Sequence, residues 1–187
     1  MVRAAGGSER MASYFEEIES AGERARDLVQ QLLVFSRGGT LHVSVVSVAD
    51  EVRAVVDLLA SSFPAGVTLS MHIDDDLPAL DIDRSHLHRI LVNLCLNARN
   101  AVDGPGEVRI SAHRVDVDPA EVCASCHAEF AGEFVRIAVS DEGCGIPQAI
   151  HDRIFEPFFT TREPGMGAGM GLAVVHGLVH LYQGHVQ

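Results

Sequence analysis

The stretch HLHRILVNLCLNARNAV, residues 86–102, decides the fold. Its apolar side chains recur at helical spacing on one face, while Asn93, Asn97 and Asn100 recur at i, i+4 and i+7 on another. A polar face that happens to use Asn is one interpretation. The other is that amide oxygens ligate Mg²⁺ without adding negative charge beside a polyphosphate.

The segments on both sides of this helix alternate between strand and helix patterns, which favours an α+β fold. We predict strands at 41–48, 67–73, 107–115 and 134–140, and helices at 49–61, 83–102 and 171–182. Residues 116–132 are predicted to be a polar insertion, and 184–187 the start of a further strand. The expected architecture is a two-layer sandwich, a mixed sheet with about three helices on one face.

One long helix is predicted ahead of this sandwich, over residues 11–37, where apolar positions again recur at helical spacing. Gly38 and Gly39 end it. A single helix cannot cover its own apolar stripe, so we expect it to pair with a helix outside this chain rather than to lie on the domain. The predicted division is therefore 1–39 and 40–187, with both ends of the sequence looking cut.

Composition excludes several classes of protein. The 187 residues are 47% hydrophobic and 21% charged, as in a globular domain. The net charge of −12 disfavours nucleic acid and anionic membranes as partners. Because all 14 basic residues are Arg, the P-loop and protein-kinase motifs, which need a phosphate-binding Lys, are absent. No apolar run is long enough for a signal peptide or a membrane span, so a cytoplasmic location is expected.

Three further segments carry possible binding chemistry. Asp141-Glu142-Gly143-Cys144-Gly145 follows a predicted strand, so a carboxylate that could accept hydrogen bonds from an exocyclic amine stands beside two glycines; a plain tight turn is the alternative. In IFEPFFTTRE, Phe155, Phe158 and Phe159 are expected to anchor a long loop, residues 146–171. The glycines of 165–171 open the last helix, whose free N–H groups can hold phosphates without lysine.

Taken in order, NLCLNARNAV, DEGCGIP, IFEPFFTTRE and GMGAGMGLAVVHG resemble the N, G1, F and G2 boxes of the histidine-kinase ATP-binding domain, of the type shared with gyrase, Hsp90 and MutL. The resemblance is to the nitrogen-regulation subgroup and covers about residues 11–187. It implies a Bergerat-type fold with a lid at 146–171. It also implies that the leading helix is the second helix of a dimerisation and phosphotransfer hairpin.

The resemblance also implies roles for individual residues. Asn97 would ligate Mg²⁺, Asn93 would assist with metal or phosphates, and Asp141 would accept the adenine amine of ATP. Asn100 would lie on the phosphate side, and Arg162 is equally compatible with a phosphate contact and with a solvated loop. The glycines and backbone N–H expected to shape the base pocket or hold the triphosphate are Gly143, Gly145, Gly167, Gly169, Gly171 and Leu172.

The implied function is that of the catalytic part of a sensor histidine kinase, which transfers the γ-phosphoryl group of ATP to a histidine and from there to a response regulator. A gyrase-like or Hsp90-like ATPase, or a non-catalytic ATP-binding module, is the alternative. Asn93 stands where those ATPases carry a Glu general base, and an amide cannot accept the proton from water. Residues 1–41 contain no histidine, so the acceptor is expected to be missing and self-phosphorylation to fail. The parent protein is expected to be a homodimer.

The chain has four cysteines: Cys95, Cys123, Cys126 and Cys144. We interpret Cys123 and Cys126 as reduced thiols that tighten a surface turn, without effect on nucleotide binding. CxxCH is also the c-type haem attachment motif, and CxxC can be half of a zinc site or a redox pair. For zinc, only Cys144, Cys95 or another chain is expected to complete the ligands. The pair His176 and His180 is interpreted as helix surface.

Overall fold

The structure is a computed structural model that describes residues 41–162 and 168–187. The helix predicted over 11–37 and the site residue Gly167 lie outside these ranges. One unit, residues 41–160 with 169–187, contains every helix and strand described here. In chain order they are β1 (Val43–Val46), α1 (Val48–Leu59), β2 (Val67–Ile73), β3 (Leu80–Asp83), α2 (Arg84–Ala101), β4 (Gly106–Val122), β5 (Glu129–Asp141) and α3 (Gly171–Leu181).

The strands form a mixed arrangement, as predicted. In the larger sheet the order is β2-β4-β5, with β2 parallel to β4 and β4 antiparallel to β5. A two-stranded antiparallel ribbon joins β1 to β3. The parallel β2–β4 pair is possible because α2 lies in the connection between the two strands. The fold class is therefore α+β.

The core lies between the larger sheet and the helices. Val108, Ile110 and Ala112 alternate along β4 as fully buried residues. Ile110 and Ala112 pack with the apolar faces of α1 and α2, where Val52 and Leu91 are also fully buried. Each fully buried Val, Leu or Ile contributes about 1.5–3 kcal/mol, so this face holds the sheet and helices together. A smaller cluster joins α2 to α3 through Ile90, Val174, Val175 and Leu178.

A buried carboxylate joins α1 to α2. Glu51 on α1 is only 2% exposed, and its two oxygens bind the Arg84 Nε at 2.6 Å and the His88 Nδ1 at 2.7 Å. A buried charge without partners is strongly unfavourable, so these contacts fix how the first turns of α2 meet α1.

The predicted helices 49–61, 83–102 and 171–182 and the strand 67–73 are found within one or two residues of their expected ends. Hydrogen bonds explain two of the helix starts: Ser47 Oγ accepts from the Asp50 N–H, and Asp83 Oδ1 accepts from the Ser85 N–H. The sequence does not predict strand β3, because its four residues, Leu80–Asp83, are too few to show a pattern.

The polar insertion predicted at 116–132 is wrong. β4 and β5 continue through it as a long hairpin arm, in register from Val108 opposite Asp141 to Val122 opposite Glu129, with an irregularity between Val117 and Glu121. Acidic residues on the exposed side of the arm mask the alternation in the sequence, whereas Val117 on the other side is 3% exposed.

The strand start predicted at 184–187 is not formed either. This segment instead folds back on the hairpin tip, where Ala124 N donates to Val186 O at 2.7 Å. Within the described ranges, no helix is long and apolar enough to cross a membrane.

Candidate nucleotide-binding site

The amide face of α2 lies directly against the first residue of α3. A Cβ added to Gly171 would be 3.1 Å from Asn97 Nδ2, 3.4 Å from Asn97 Oδ1 and 3.5 Å from Asn93 Oδ1. A glycine at this position therefore lets the start of α3 approach two amides closely. The structure therefore brings Asn93 and Asn97 next to Gly171, although Gly171 follows Asn93 by 78 positions in the sequence.

The two amides differ in their own contacts. Asn93 Nδ2 donates to the Arg89 carbonyl at 2.9 Å, which holds its Oδ1 towards α3. In the described part of the chain, no side-chain hydrogen bond occupies the Asn97 amide. Both side chains are half-buried. Two hard oxygen donors on one face fit the ligand preference of Mg²⁺.

The N-terminus of α3 has no side-chain cap among the described residues. Met170 is the residue before the helix, its side chain is buried, and no side-chain hydrogen bond caps the first turn. The N–H groups of this turn, including that of Leu172, therefore keep their capacity to bind an anion.

The Asp141 loop is fixed to the C-terminal end of α2, one turn beyond Asn97. A Cβ on Gly143 would lie 2.5 Å from the Ala101 carbonyl oxygen, so only glycine fits here. Cys144 N donates to the same oxygen at 3.2 Å. Gly143 N donates to Asp141 Oδ1 at 2.9 Å, which orients the exposed carboxylate. Gly145 has a φ of +68° and open space around it.

The predicted aromatic anchors are only partly confirmed. Phe155 and Phe159 are half-buried, and the Arg153 guanidinium lies 4.3 Å from the Phe159 ring centre. Phe158 is not an anchor, because its side chain is 62% exposed. The Phe158 backbone, rather than its side chain, makes the contact with the glycine segment. A Cβ added to Gly169, at φ +65°, would lie 2.6 Å from the Phe158 carbonyl carbon, so the loop and the glycine segment pack backbone to backbone.

Asn100 is at the edge of this arrangement. It is exposed, and its Oδ1 accepts hydrogen bonds from Arg99 Nε at 3.2 Å and Nη2 at 3.0 Å. A cavity of about 790 Å³ lies elsewhere, between β5 and the helices α2 and α3, and none of the predicted site residues lines it.

Comparison with known proteins agrees with this geometry. Residues 82–187 match the family model described as histidine kinase-, DNA gyrase B- and HSP90-like ATPase. The chain belongs to this ATPase family. The match begins in β3 and includes Asn93, Asn97, Asp141 and Gly171, so the whole candidate site lies inside it.

Individual members of the family are similar over most of the chain. The sensor kinase CckA of Brucella abortus is 35% identical over 164 residues, covering 87% of this chain and 17% of that protein. The sensory histidine kinase/phosphatase NtrB of Salmonella typhimurium is 30% identical, covering 95% and 48%. The full-length structure of ShkA in complex with AMPPNP has a TM-score of 0.68 at 25% identity, covering 96% of this chain and 35% of that one. The chain thus spans less than half the length of each.

The expectation that only Cys144, Cys95 or another chain could complete a site with Cys123 and Cys126 is wrong, because two histidines of this chain lie beside them. His180 is not a free surface residue, because its Nε2 lies 3.6 Å from the buried Cys123 Sγ. Cys123, Cys126, His180 and His185 lie together at the hairpin tip. The spacings C-x₂-C and H-x₄-H could have indicated these four residues as a group. The two pairs are separated by 53 residues, however, and the sequence around the cysteines predicts an isolated insertion that does not contact the last helix.

Proposed function

We propose that this chain is the ATP-binding catalytic part of a sensor histidine kinase. The observation that carries the proposal is the closeness of Asn93 and Asn97 on α2 to the start of α3, which no described side chain caps, with the Asp141 loop fixed to the end of α2. The similarity to CckA and NtrB supports the kinase assignment within the family.

The base of the nucleotide would bind at the Asp141 loop. Asp141 Oδ1 already accepts the Gly143 N–H, so the carboxylate is held in place before ligand arrives. Its remaining acceptor capacity suits the exocyclic amine of adenine, and Gly143 and Gly145 leave room for the planar base.

The phosphates would bind at the start of α3. The N–H groups of Gly169, Gly171 and Leu172, with Gly167 from outside the described ranges, are the expected donors. Mg²⁺, when bound, neutralises charge on the phosphates, and Asn97 with support from Asn93 would hold it. Because the chain has no Lys, the positive charge beside the phosphates would come from backbone dipoles, the metal and any arginine that reaches them, for which Arg162 is the candidate.

Transfer is favoured over hydrolysis by the residue at position 93. The Asn93 side chain cannot take a proton from water, and its amide nitrogen already donates to Arg89 O. In the proposed reaction an imidazole nitrogen of an acceptor histidine attacks the γ-phosphorus, the bond to the β,γ-bridging oxygen breaks and ADP leaves, while the other imidazole nitrogen gives its proton to a carboxylate beside the acceptor. The work of the site is then positioning and charge neutralisation.

The acceptor and the onward partner are also proposals. No histidine precedes His42 in this sequence, so the acceptor histidine would come from a separate dimerisation helix of a homodimeric, cytoplasmic kinase region. A solved complex of the histidine kinase ThkA with the response regulator protein TrrA has a TM-score of 0.67 to this chain. A response regulator is therefore the proposed recipient of the phosphoryl group.

The test is nucleotide binding by calorimetry, with and without Mg²⁺, for the wild type, Asp141→Asn and the exposed helix variant Asp57→Asn. A charged hydrogen bond is worth about 1.5–3 kcal/mol, so Asp141→Asn should weaken ATP binding by about ten-fold to more than a hundred-fold. Asp57→Asn should bind like the wild type. Equal affinities of all three proteins would remove Asp141 from the site.

Activity separates the two candidate reactions. With radiolabelled ATP, the chain alone should give no phosphohistidine, and a separately added acceptor-helix fragment should become labelled. Rapid release of inorganic phosphate without any such labelling would favour the gyrase-like or Hsp90-like ATPase instead.

A further inference from the structure

Four metal-binding side chains meet where the β4–β5 hairpin tip touches the end of α3. One ligand atom from each of Cys123, Cys126, His180 and His185 lies within 4.8 Å of all the others. Cys123 is fully buried, both histidines are half-buried, and Cys126 is exposed at the rim. All four belong to the same unit of the structure. We propose that these four residues form a tetrahedral zinc site that joins the hairpin tip to α3.

The distances fit a tetrahedral ion. With Zn–S of about 2.3 Å and Zn–N of about 2.05 Å, a sulfur and a nitrogen ligand are about 3.6 Å apart. Cys123 Sγ and His180 Nε2 are separated by 3.6 Å. The pattern C-x₂-C with H-x₄-H also falls within the ligand spacing of structural zinc sites.

Neighbouring groups orient the ligands. His180 Nδ1 lies 2.7 Å from the His176 carbonyl, which can only accept, so Nδ1 carries the proton and the Nε2 lone pair faces Cys123. The His185 ring stacks on Phe130 with centres 4.2 Å apart and an 8° angle between planes. His185 Nδ1 is buried and has no hydrogen-bond partner among the described residues, which a bound cation would supply.

The cysteine turn is likewise arranged for metal. Cys123 Sγ accepts the Val186 N–H at 3.3 Å and contacts Ser125 Oγ at 3.4 Å. The turn then ends at His127, whose φ is +59°. A thiolate held by N–H donors is the form that binds zinc.

The donor set distinguishes zinc from harder ions. Two thiolates and two imidazoles select zinc or another borderline-soft metal and disfavour Mg²⁺, which prefers oxygen. Four protein ligands leave no open position, so the role is structural rather than catalytic. Zinc would fix the far end of the β4–β5 arm to the helix that begins at Gly171, and so would connect the two elements that carry Asp141 and the phosphate-binding turn.

The experiment measures metal in the full chain after any affinity tag has been removed and zinc has been supplied during expression. The wild type should contain about one zinc per chain, and Cys126→Ser and His185→Ala should each retain less than about a tenth of that. The matched control is His72→Ala/His113→Ala, which removes two ligands from the group His72, Asp74 and His113 on the exposed sheet face. This variant should keep its zinc.

Cobalt substitution provides a second readout. Co²⁺ in place of zinc should give the visible and near-ultraviolet bands of tetrahedral thiolate coordination in the wild type and in the control variant, and these bands should disappear in Cys126→Ser. Because Cys126 is exposed, Cys126→Ser should fold, and circular dichroism checks this. A chelator should lower the melting temperature of the wild type and leave that of Cys126→Ser unchanged.

Several results would overturn the proposal. They are wild-type protein with far less than one zinc per chain, zinc retained by both ligand variants, a Cys123–Cys126 disulfide in protein prepared under reducing conditions, or a Soret band that indicates haem at CxxCH.

Discussion

Replacing Gly143 by Ala tests how the Asp141 loop is held in place. The added Cβ would lie 2.5 Å from the carbonyl oxygen, 2.6 Å from the carbonyl carbon and 2.7 Å from the Cβ of Ala101. Non-bonded carbon contacts are most favourable at about 3.5–4.0 Å, so the loop must move away from α2 by about 1 Å. All three atoms belong to a helix end that cannot easily yield.

The movement should cost both stability and affinity. The Cys144 N–H to Ala101 O hydrogen bond, 3.2 Å long, would be lost, and overpacking of this kind costs about 1–3 kcal/mol of unfolding free energy. Displacing Asp141 by the same amount would forfeit most of a charged hydrogen bond to the base. We therefore expect ATP affinity to fall by about ten-fold to a hundred-fold, measured by calorimetry.

A double-mutant cycle shows whether the loss acts through Asp141. In an Asp141→Asn background, Gly143→Ala should have little further effect on affinity, because the contact it displaces is already gone. Gly132→Ala, on the hairpin arm outside the candidate site, is the steric control, since nothing lies within 4 Å of its added Cβ and only its φ of +114° is strained. Wild-type affinity in Gly143→Ala, or losses that simply add in the double variant, would refute the reasoning.

Three further predictions address other parts of the structure. Asn97→Ala should abolish most of the Mg²⁺-dependent part of ATP affinity, and an unchanged response to Mg²⁺ in titrations would contradict its role as a ligand. Gly169→Ala should lower ATP affinity, because its φ is +65° and its Cβ would lie 2.6 Å from the Phe159 carbonyl oxygen; binding equal to wild type would show that this contact can relax. Glu51→Ala should lower the free energy of unfolding by about 2 kcal/mol in urea titration, because two charged hydrogen bonds are lost, and a change near zero would show that the buried charge contributes nothing.

Most of the fold is predictable because its helices carry strong local signals. The α2 pattern has regular apolar spacing, a capping Asp83 and a terminating Gly-Pro-Gly, and each of these acts within a few residues. The hairpin arm is not predictable in the same way. Its pairing is between residues far apart in sequence, and its polar side faces solvent, so the alternation looks like a loop.

In the candidate site, too, local patterns are predictable from the sequence and long-range contacts are not. The sequence places Asn93 and Asn97 on one helical face, but the approach of Gly171 to those amides depends on how α2 packs on α3. The meeting of Cys123 with His180 depends on tertiary packing too. Helical periodicity pairs His180 with His176, whereas the ligand spacing runs from His180 to His185 across the turn that ends the helix.

Helix α2 also fixes the distance between its contacts with Gly171 and with Gly143. Its contact with Gly171 is at Asn97 and its contact with Gly143 is at Ala101, four residues apart, which is about 6 Å of helix axis. Helix α2 thus sets the distance between the Asp141 loop, the proposed binding site of the base, and the start of α3, the proposed binding site of the phosphates. Deleting a single residue between Asn97 and Ala101 would rotate one contact by about 100° around the helix relative to the other. The contacts with Gly171 and with Gly143 could then not both form. The spacing is therefore set by the rise and twist of the α-helix itself.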